Sequence, residues 1–226
     1  IMEHIQYSKN VLDEGTLNNL QQLIKEHYEE IPVYNFSLKT EKPKNYLEEV
    51  IRDLVGYDHH MEYWVRDDTE RTLMHVDANE LQAKRDLVQY GEEDVHMIKE
   101  FPLNTHILYI DIDPKMEGGK LLLMPEQEYI HGRKIIDDSF KVPEGSRILV
   151  VEPKTNHMVI FTKPLYHAVE AVENRDVVKH RVAFMFSAWD KVPNVYSEHL
   201  HWTNYMISHP GGPNYMPRDT EFKLTI

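Results

Sequence analysis

Two side chains able to hold a metal stand two residues apart, His75 and Asp77, where the apolar stretch Thr72-Leu73-Met74 ends. In an extended strand alternate side chains share a face, so both would aim at one point. A further imidazole, His167, closes the run HMVIFTKPLYH. Pro164 breaks a strand there, and Leu165, His167 and Val169 then fall on one side. Two imidazoles and one carboxylate form the facial set that suits non-haem Fe(II) and leaves three coordination positions open. Open positions distinguish a reactive metal site from a closed structural one. The ordinary alternative for a single His-x-Asp is a pair of solvated residues at a strand rim.

Farther along, Arg181 opens the run RVAFMFSAW. Alternation puts Arg181, Ala183, Met185 and Ser187 on one face and Val182, Phe184 and Phe186 on the other. A guanidinium on an inward face is costly unless an anion meets it. Its planar fork matches a carboxylate bidentately. Arg175 is the rival cation, but it falls in the turn-like ENRD and not on an alternating apolar strand. The residues thus offer a metal with a carboxylate clamp deeper inside.

These residues need a scaffold. The first third reads as helical. Thr16 is placed to cap a helix with Leu17, Leu20, Ile24 and Tyr28 on one stripe, ended at Ile31-Pro32. Asn45 and Glu48 have capping-box spacing before Leu47, Val50, Ile51 and Leu54, and Gly56 sits at the stop. A third short helix is expected from Asn79 to Gln89, stopped by Gly91. Then the texture changes. MEYWV, TLMHV, THILYIDID, GGKLLLMP, SRILVVEP, HMVIFTKP and HRVAFMFSAW are short β-branched and aromatic runs bounded by turn residues. Strands in such succession close into a sandwich or barrel. Gly118-Gly119 supply a turn or bulge at a strand start.

Composition sets bounds. The chain has 226 residues, enough for one well-buried core, and no repeat or low-complexity linker divides it. The expected organisation is one domain, 1–226, with a helical part over 1–58, a barrel core over 59–190 and a C-terminal wrap or lid over 191–226. A formal charge of −13 gives no basic excess for nucleic acid or an anionic membrane, so neither is an expected partner. With no cysteine, disulfides, thiolate catalysis and iron–sulfur clusters are excluded. The first residues, IMEHIQYSKN, lack the apolar core of a signal peptide, and a reducing cytoplasmic location is expected.

With these residues in place, the sequence resembles the 2-oxoglutarate- and Fe(II)-dependent dioxygenases, most of all the prolyl-4-hydroxylase group with its oxygen-sensing members. His75-Val76-Asp77 matches the family's H-x-D. ILYID at 107–111 matches its Y-Y-L-N strand, EGGKLLLMPE at 117–126 its Gly-Gly strand, and VEPKTNHMVIFTKPLYHAV at 151–169 the run to the distal histidine. The similarity covers roughly residues 60–190 in the right order. The resemblance implies a double-stranded β-helix, a jelly-roll or cupin-like barrel, with the N-terminal helices packed outside. It implies Fe(II) on His75, Asp77 and His167. It further implies 2-oxoglutarate gripped at its far carboxylate by Arg181 with help from Tyr109, O2 as the other partner, and ascorbate as reductant. Two departures are visible. The spacing from His167 to Arg181 exceeds the family's usual gap, which a longer hairpin through ENRD would absorb. The segment from Ala83 to Asn104 is an insertion, so the family's substrate does not carry over.

The implied reaction is hydroxylation of an unactivated C–H, on a prolyl or other amino-acid side chain, peptidyl or free, with release of succinate and CO2. Tailoring of a small natural product by hydroxylation, desaturation or cyclisation is the alternative. Related halogenases replace the H-x-D carboxylate with a small residue, so Asp77 argues against chlorination. Trp64, Arg66 and Trp189 are candidates for the substrate mouth, and Trp189 suits hydrophobic closure equally well. A strand tyrosine such as Tyr109 is ordinarily core packing. His199 and His201 are a second ligand pair or, more ordinarily, surface residues of the tail; His59, His60 and His180 read as structural. A non-catalytic metal- or acid-binding barrel and a hydrolytic zinc site remain as other readings. Neither explains an inward Arg181.

Overall fold

The computed structural model describes residues 3–31, 34–56, 58–78, 100–128 and 147–190. The expected helix at Asn79–Gln89, the insertion up to Lys99 and the tail with His199 and His201 lie outside the described residues.

The first helix, α1, spans Glu14–His27 and runs into a single 3-10 turn, Tyr28–Glu30. Its cap is Asp13, not the expected Thr16: an Asp13 oxygen accepts from the Thr16 backbone N–H at 3.0 Å. The Thr16 hydroxyl donates to the same carboxylate at 2.6 Å. A charged acceptor at the positive helix start outcompetes a hydroxyl that sits inside the first turn. The second helix, α2, spans Tyr46–Val55 with Asn45 accepting from Glu48 N–H at 2.9 Å, as the sequence predicts. The Glu48 carboxylate reaches one residue beyond the box and accepts from the Lys44 N–H at 2.8 Å. Gly56 stops the helix at φ 82°, its N–H donating to the Arg52 carbonyl.

Ten strands follow the chain among the described residues: β1 Ile5–Lys9, β2 Tyr34–Ser37, β3 His60–Asp67, β4 Thr72–His75, β5 Asn104–Ile112, β6 Leu121–Glu128, β7 Leu149–Val151, β8 His157–Phe161, β9 Leu165–Val169 and β10 Arg181–Trp189. They form a six-stranded sheet ordered β1-β8-β5-β10-β3-β2 and a four-stranded sheet ordered β4-β9-β6-β7. The neighbouring strands pair antiparallel. This is a jelly-roll-like pair of sheets; among the described residues no strand joins both, so the expected closure into a barrel is not seen. β1 and β2 fall inside the stretch read as helical, because short edge strands of mixed polarity carry little periodicity. The chain crosses from the larger sheet to the smaller between β8 and β9, where Pro164 stands.

Each face of the large sheet has its own core. On one side Leu20, Leu23 and Ile24 of α1 and Leu47, Val50 and Ile51 of α2 cluster with Leu108, Ile110, Phe184 and Phe186. On the other, Ile107, Tyr109 and Ala183 meet Leu121, Leu123, Val151 and Leu165 of the small sheet. A bulge adjusts the phase between them. Val182 pairs with Asp111 and Ala183 with Tyr109, so Ile110 is skipped. Ile110 therefore stays with the helix side while Ile112, two residues on, joins the inter-sheet core with Arg181 opposite it.

Glu48 is fully buried beneath α2, accepting from the Tyr63 hydroxyl at 3.1 Å as well as from Lys44. Burial, opposed by those hydrogen bonds, pushes its carboxyl up to about 7. The unfolded chain releases this proton near pH ~4.3, so the folded state holds it longer and folding loses stability as pH rises between the two values. The span corresponds to a loss on the order of 4 kcal/mol, complete above pH 7. Urea denaturation from pH 4.5 to 8 is expected to show the Glu48→Gln variant gaining on the parent protein as pH rises. Parallel pH profiles would contradict this account.

Candidate active site

The smaller sheet brings two histidines face to face. β4 and β9 pair so that His75 lies directly opposite His167, and their ring centroids are 4.1 Å apart. A bulge between Thr72 and His75 sets this register. β4 ends at His75, and Asp77 follows just beyond it. One Asp77 oxygen, Oδ1, lies 3.6 Å from Nε2 of His75 and 3.6 Å from Nε2 of His167. The ligand atoms of the three residues all lie within 4.8 Å of one another. Those separations are too long for direct hydrogen bonds and suit atoms that share a third partner.

Both rings are oriented from behind. Nδ1 of His75 is 2.7 Å from the Leu73 carbonyl, and Nδ1 of His167 is 2.9 Å from the Leu165 carbonyl. A carbonyl only accepts, so each Nδ1 carries the proton and each Nε2 presents its lone pair to the shared centre. Burial of His167, aided by His75 beside it and opposed by Asp77, lowers its proton affinity and keeps it neutral. Neutral imidazoles and a carboxylate are the forms that ligate a metal, and two nitrogens with one oxygen fit iron. Phe161 packs on the His167 ring at 4.9 Å and walls off that side.

Opposite, the large sheet supplies polar groups. Thr105, at the start of β5, donates its hydroxyl to Asp77 Oδ2 at 3.0 Å. Sequence reasoning missed this residue. Alternation puts Thr105 on one face with Ile107 and Tyr109, but nothing in the strand itself marks a partner for its hydroxyl.

Arg181 lies between the sheets and is only 5% exposed. Its Nη2 and Nε donate to the Gly119 carbonyl at 3.1 and 3.4 Å. Among the described residues no carboxylate pairs with its guanidinium, and burial lowers its hold on the proton, partly offset by Tyr109 and Asp68. Tyr109 is 1% exposed, its hydroxyl has no hydrogen-bond partner among the described residues, and burial pushes it up to about 12. A buried cation without a carboxylate and a buried hydroxyl without a partner are groups whose burial an anion would offset. Gly119 makes room: it has φ 65°, and a Cβ there would lie 3.2 Å from Arg181 Nε. At Gly118, with φ 76°, a Cβ would lie 2.6 Å from the Ala171 carbonyl oxygen, too close for any side chain. Arg175 instead pairs with Glu70 at 3.0 Å, both side chains more than half exposed, and stays outside the inter-sheet space. The longer hairpin that holds it is pinned by Asn174, which bonds both Lys115 and Glu117 backbone groups.

On β3, Trp64 pairs with Met185 and Arg66 with Ala183, which puts both on the inter-sheet face, partly exposed. Arg66 is tied to Asp68 at 2.6 Å and to Thr72 at 2.7 Å. Trp189 is buried, with its Nε1 lacking a partner among the described residues. His180 pairs with Asp111 at 3.0 Å, away from the three-ligand cluster.

No protein-family model matches the sequence, and no curated protein matches it. Solved structures do. The epimerase SnoN, in complex with Fe3+, alpha ketoglutarate and nogalamycin RO, superposes with a TM-score of 0.53 at 14% identity, covering 84% of this chain and 80% of that one. A second structure of SnoN, described as a non-heme alpha ketoglutarate-dependent epimerase from nogalamycin biosynthesis, gives a TM-score of 0.53 at 9% identity over 84% and 79% of the two chains. A Pseudomonas putida prolyl-4-hydroxylase aligns at a TM-score of 0.48 and 12% identity over 84% and 95%. At such identities the likeness is one of architecture. The chain shares its overall architecture with the two SnoN structures.

Proposed function

We propose that the protein is an Fe(II)- and 2-oxoglutarate-dependent oxygenase that hydroxylates an unactivated C–H of a prolyl or other amino-acid side chain. One observation carries the reading: two carbonyl-oriented imidazoles and a carboxylate converge on one point in a fold that also buries an arginine without a carboxylate. His75, Asp77 and His167 are the metal ligands, and Arg181 with Tyr109 holds the far carboxylate of 2-oxoglutarate.

Iron bound there, with 2-oxoglutarate and O2, supplies C–H oxidation: substrate C–H becomes C–OH while 2-oxoglutarate becomes succinate and CO2. The chain's own residues bind and orient. Arg181 offers a fork whose remaining N–H groups point a dicarboxylate in one direction, and the Gly119 carbonyl keeps that fork from swinging. Tyr109 stays protonated and donates to the same carboxylate. Phe161 and the apolar inter-sheet core keep water from the reacting groups. Trp64, Arg66 and Trp189 line the approach of substrate. A second reading, tailoring of a small natural product, is supported by the architecture shared with SnoN. The acidic surface favours a neutral or cationic substrate under either reading.

Anaerobic addition of Fe(II) and 2-oxoglutarate is expected to produce a visible metal-to-ligand charge-transfer band in the parent protein and none in His75→Ala. Folded protein without the band would remove the oxygenase reading. For the clamp, Arg181→Ala is expected to cost about 2–4 kcal/mol of 2-oxoglutarate binding, roughly 30- to 1,000-fold in the concentration required. Arg175→Ala is expected to leave that concentration unchanged, and the reverse pattern would assign the clamp to the hairpin. Succinate release measured against peptides and free amino acids then identifies the substrate class.

A further inference from the structure

The carboxylate of Asp77 has two oxygens, and the structure treats them differently. Oδ1 sits between the two histidine Nε2 atoms at 3.6 Å from each. Oδ2 is turned away and accepts from the Thr105 hydroxyl at 3.0 Å. Among the described residues Thr105 is the sole hydrogen-bond donor to Asp77. The contact spans the two sheets, since Thr105 is on β5 of the larger and Asp77 follows β4 of the smaller. Thr105 is 3% exposed, so water does not readily take its place. Its hydroxyl has one proton, which the carboxylate takes. The Ser187 hydroxyl, 3.4 Å away on β10 and 1% exposed, is then left to donate towards Thr105.

We propose that Thr105 is a positioning residue that makes Asp77 a one-oxygen ligand. This rests on the reading of His75, Asp77 and His167 as a metal centre. A carboxylate with a free second oxygen can turn and offer both to a metal, closing a position that co-substrate or O2 requires. Pinning Oδ2 to a buried hydroxyl on the facing sheet prevents that turn, and a partner of this kind also raises the metal affinity of its ligand. Ser187 holds the hydroxyl's proton on the Asp77 side.

Co(II), whose ligand-field absorption reports coordination number, is the probe, titrated into the full chain. Thr105→Val, which keeps the shape and loses the hydroxyl, is expected to raise the Co(II) Kd about 10- to 100-fold and to change the band shape. Thr105→Ser is expected to restore both to about the parent values. A residue that merely filled space would alter the melting temperature while leaving the spectrum alone. Parent-like affinity and spectrum in Thr105→Val, or a serine variant as impaired as the valine, would overturn the proposal. Should Thr105→Val fail to fold, Thr105→Ala is read by the same two criteria. Failure of the metal centre itself looks different: His75→Ala would then bind Co(II) as tightly as the parent protein does.

Discussion

The site depends on one antiparallel pairing, His75 of β4 opposite His167 of β9. Because side chains alternate faces along a strand, a slip of one residue would send one imidazole to the far side of the small sheet. The bulge between Thr72 and His75 is part of that register, since it changes which β4 residues face inward before the histidine is reached. Asp77 then needs only to continue the chain. The two backbone carbonyls that orient the rings, at Leu73 and Leu165, each lie two residues before their histidine. Position and tautomer are therefore set by the same short stretches of backbone.

The second constraint is electrostatic. A guanidinium kept at 5% exposure against a single peptide carbonyl is held at a cost, and the surrounding chain is built to hold it. Two consecutive glycines at positive φ carry the backbone past it, and the bulge at Ile110 turns Ile112 toward it across the strand pair. Glu48, on the opposite side of the large sheet, shows the same pattern of a buried charge-bearing group, there satisfied by Tyr63 and the Lys44 N–H. Glu48 has its partners within the fold, whereas the Arg181 guanidinium meets no carboxylate among the described residues.

Much of this is legible in the sequence. The His-x-Asp, the histidine after Pro164 and the inward phase of Arg181 could be read because strand alternation is a strict period and polar residues on its inward face stand out. The second helix and its cap were equally plain. Thr105 was not, because a threonine in a strand is unremarkable until its facing partner is known, and that partner lies across the inter-sheet space. Asp13 displaced Thr16 as a cap because two good capping residues stood three apart and only the observed contacts rank them. β1 and β2 gave no periodic signal. The bulge that skips Ile110 was hidden for a related reason: it depends on two strands far apart in sequence, and no single one carries its mark.

The two sheets divide the labour. The three convergent donors belong to the smaller one, while the hydroxyl that steadies Asp77 and the guanidinium that leans on Gly119 belong to the larger. Both cross-links therefore stretch along one shared coordinate, the gap between the layers. Ile107, a spacer in that gap on the larger sheet, acts as a shim: trimming it slackens both cross-links at once.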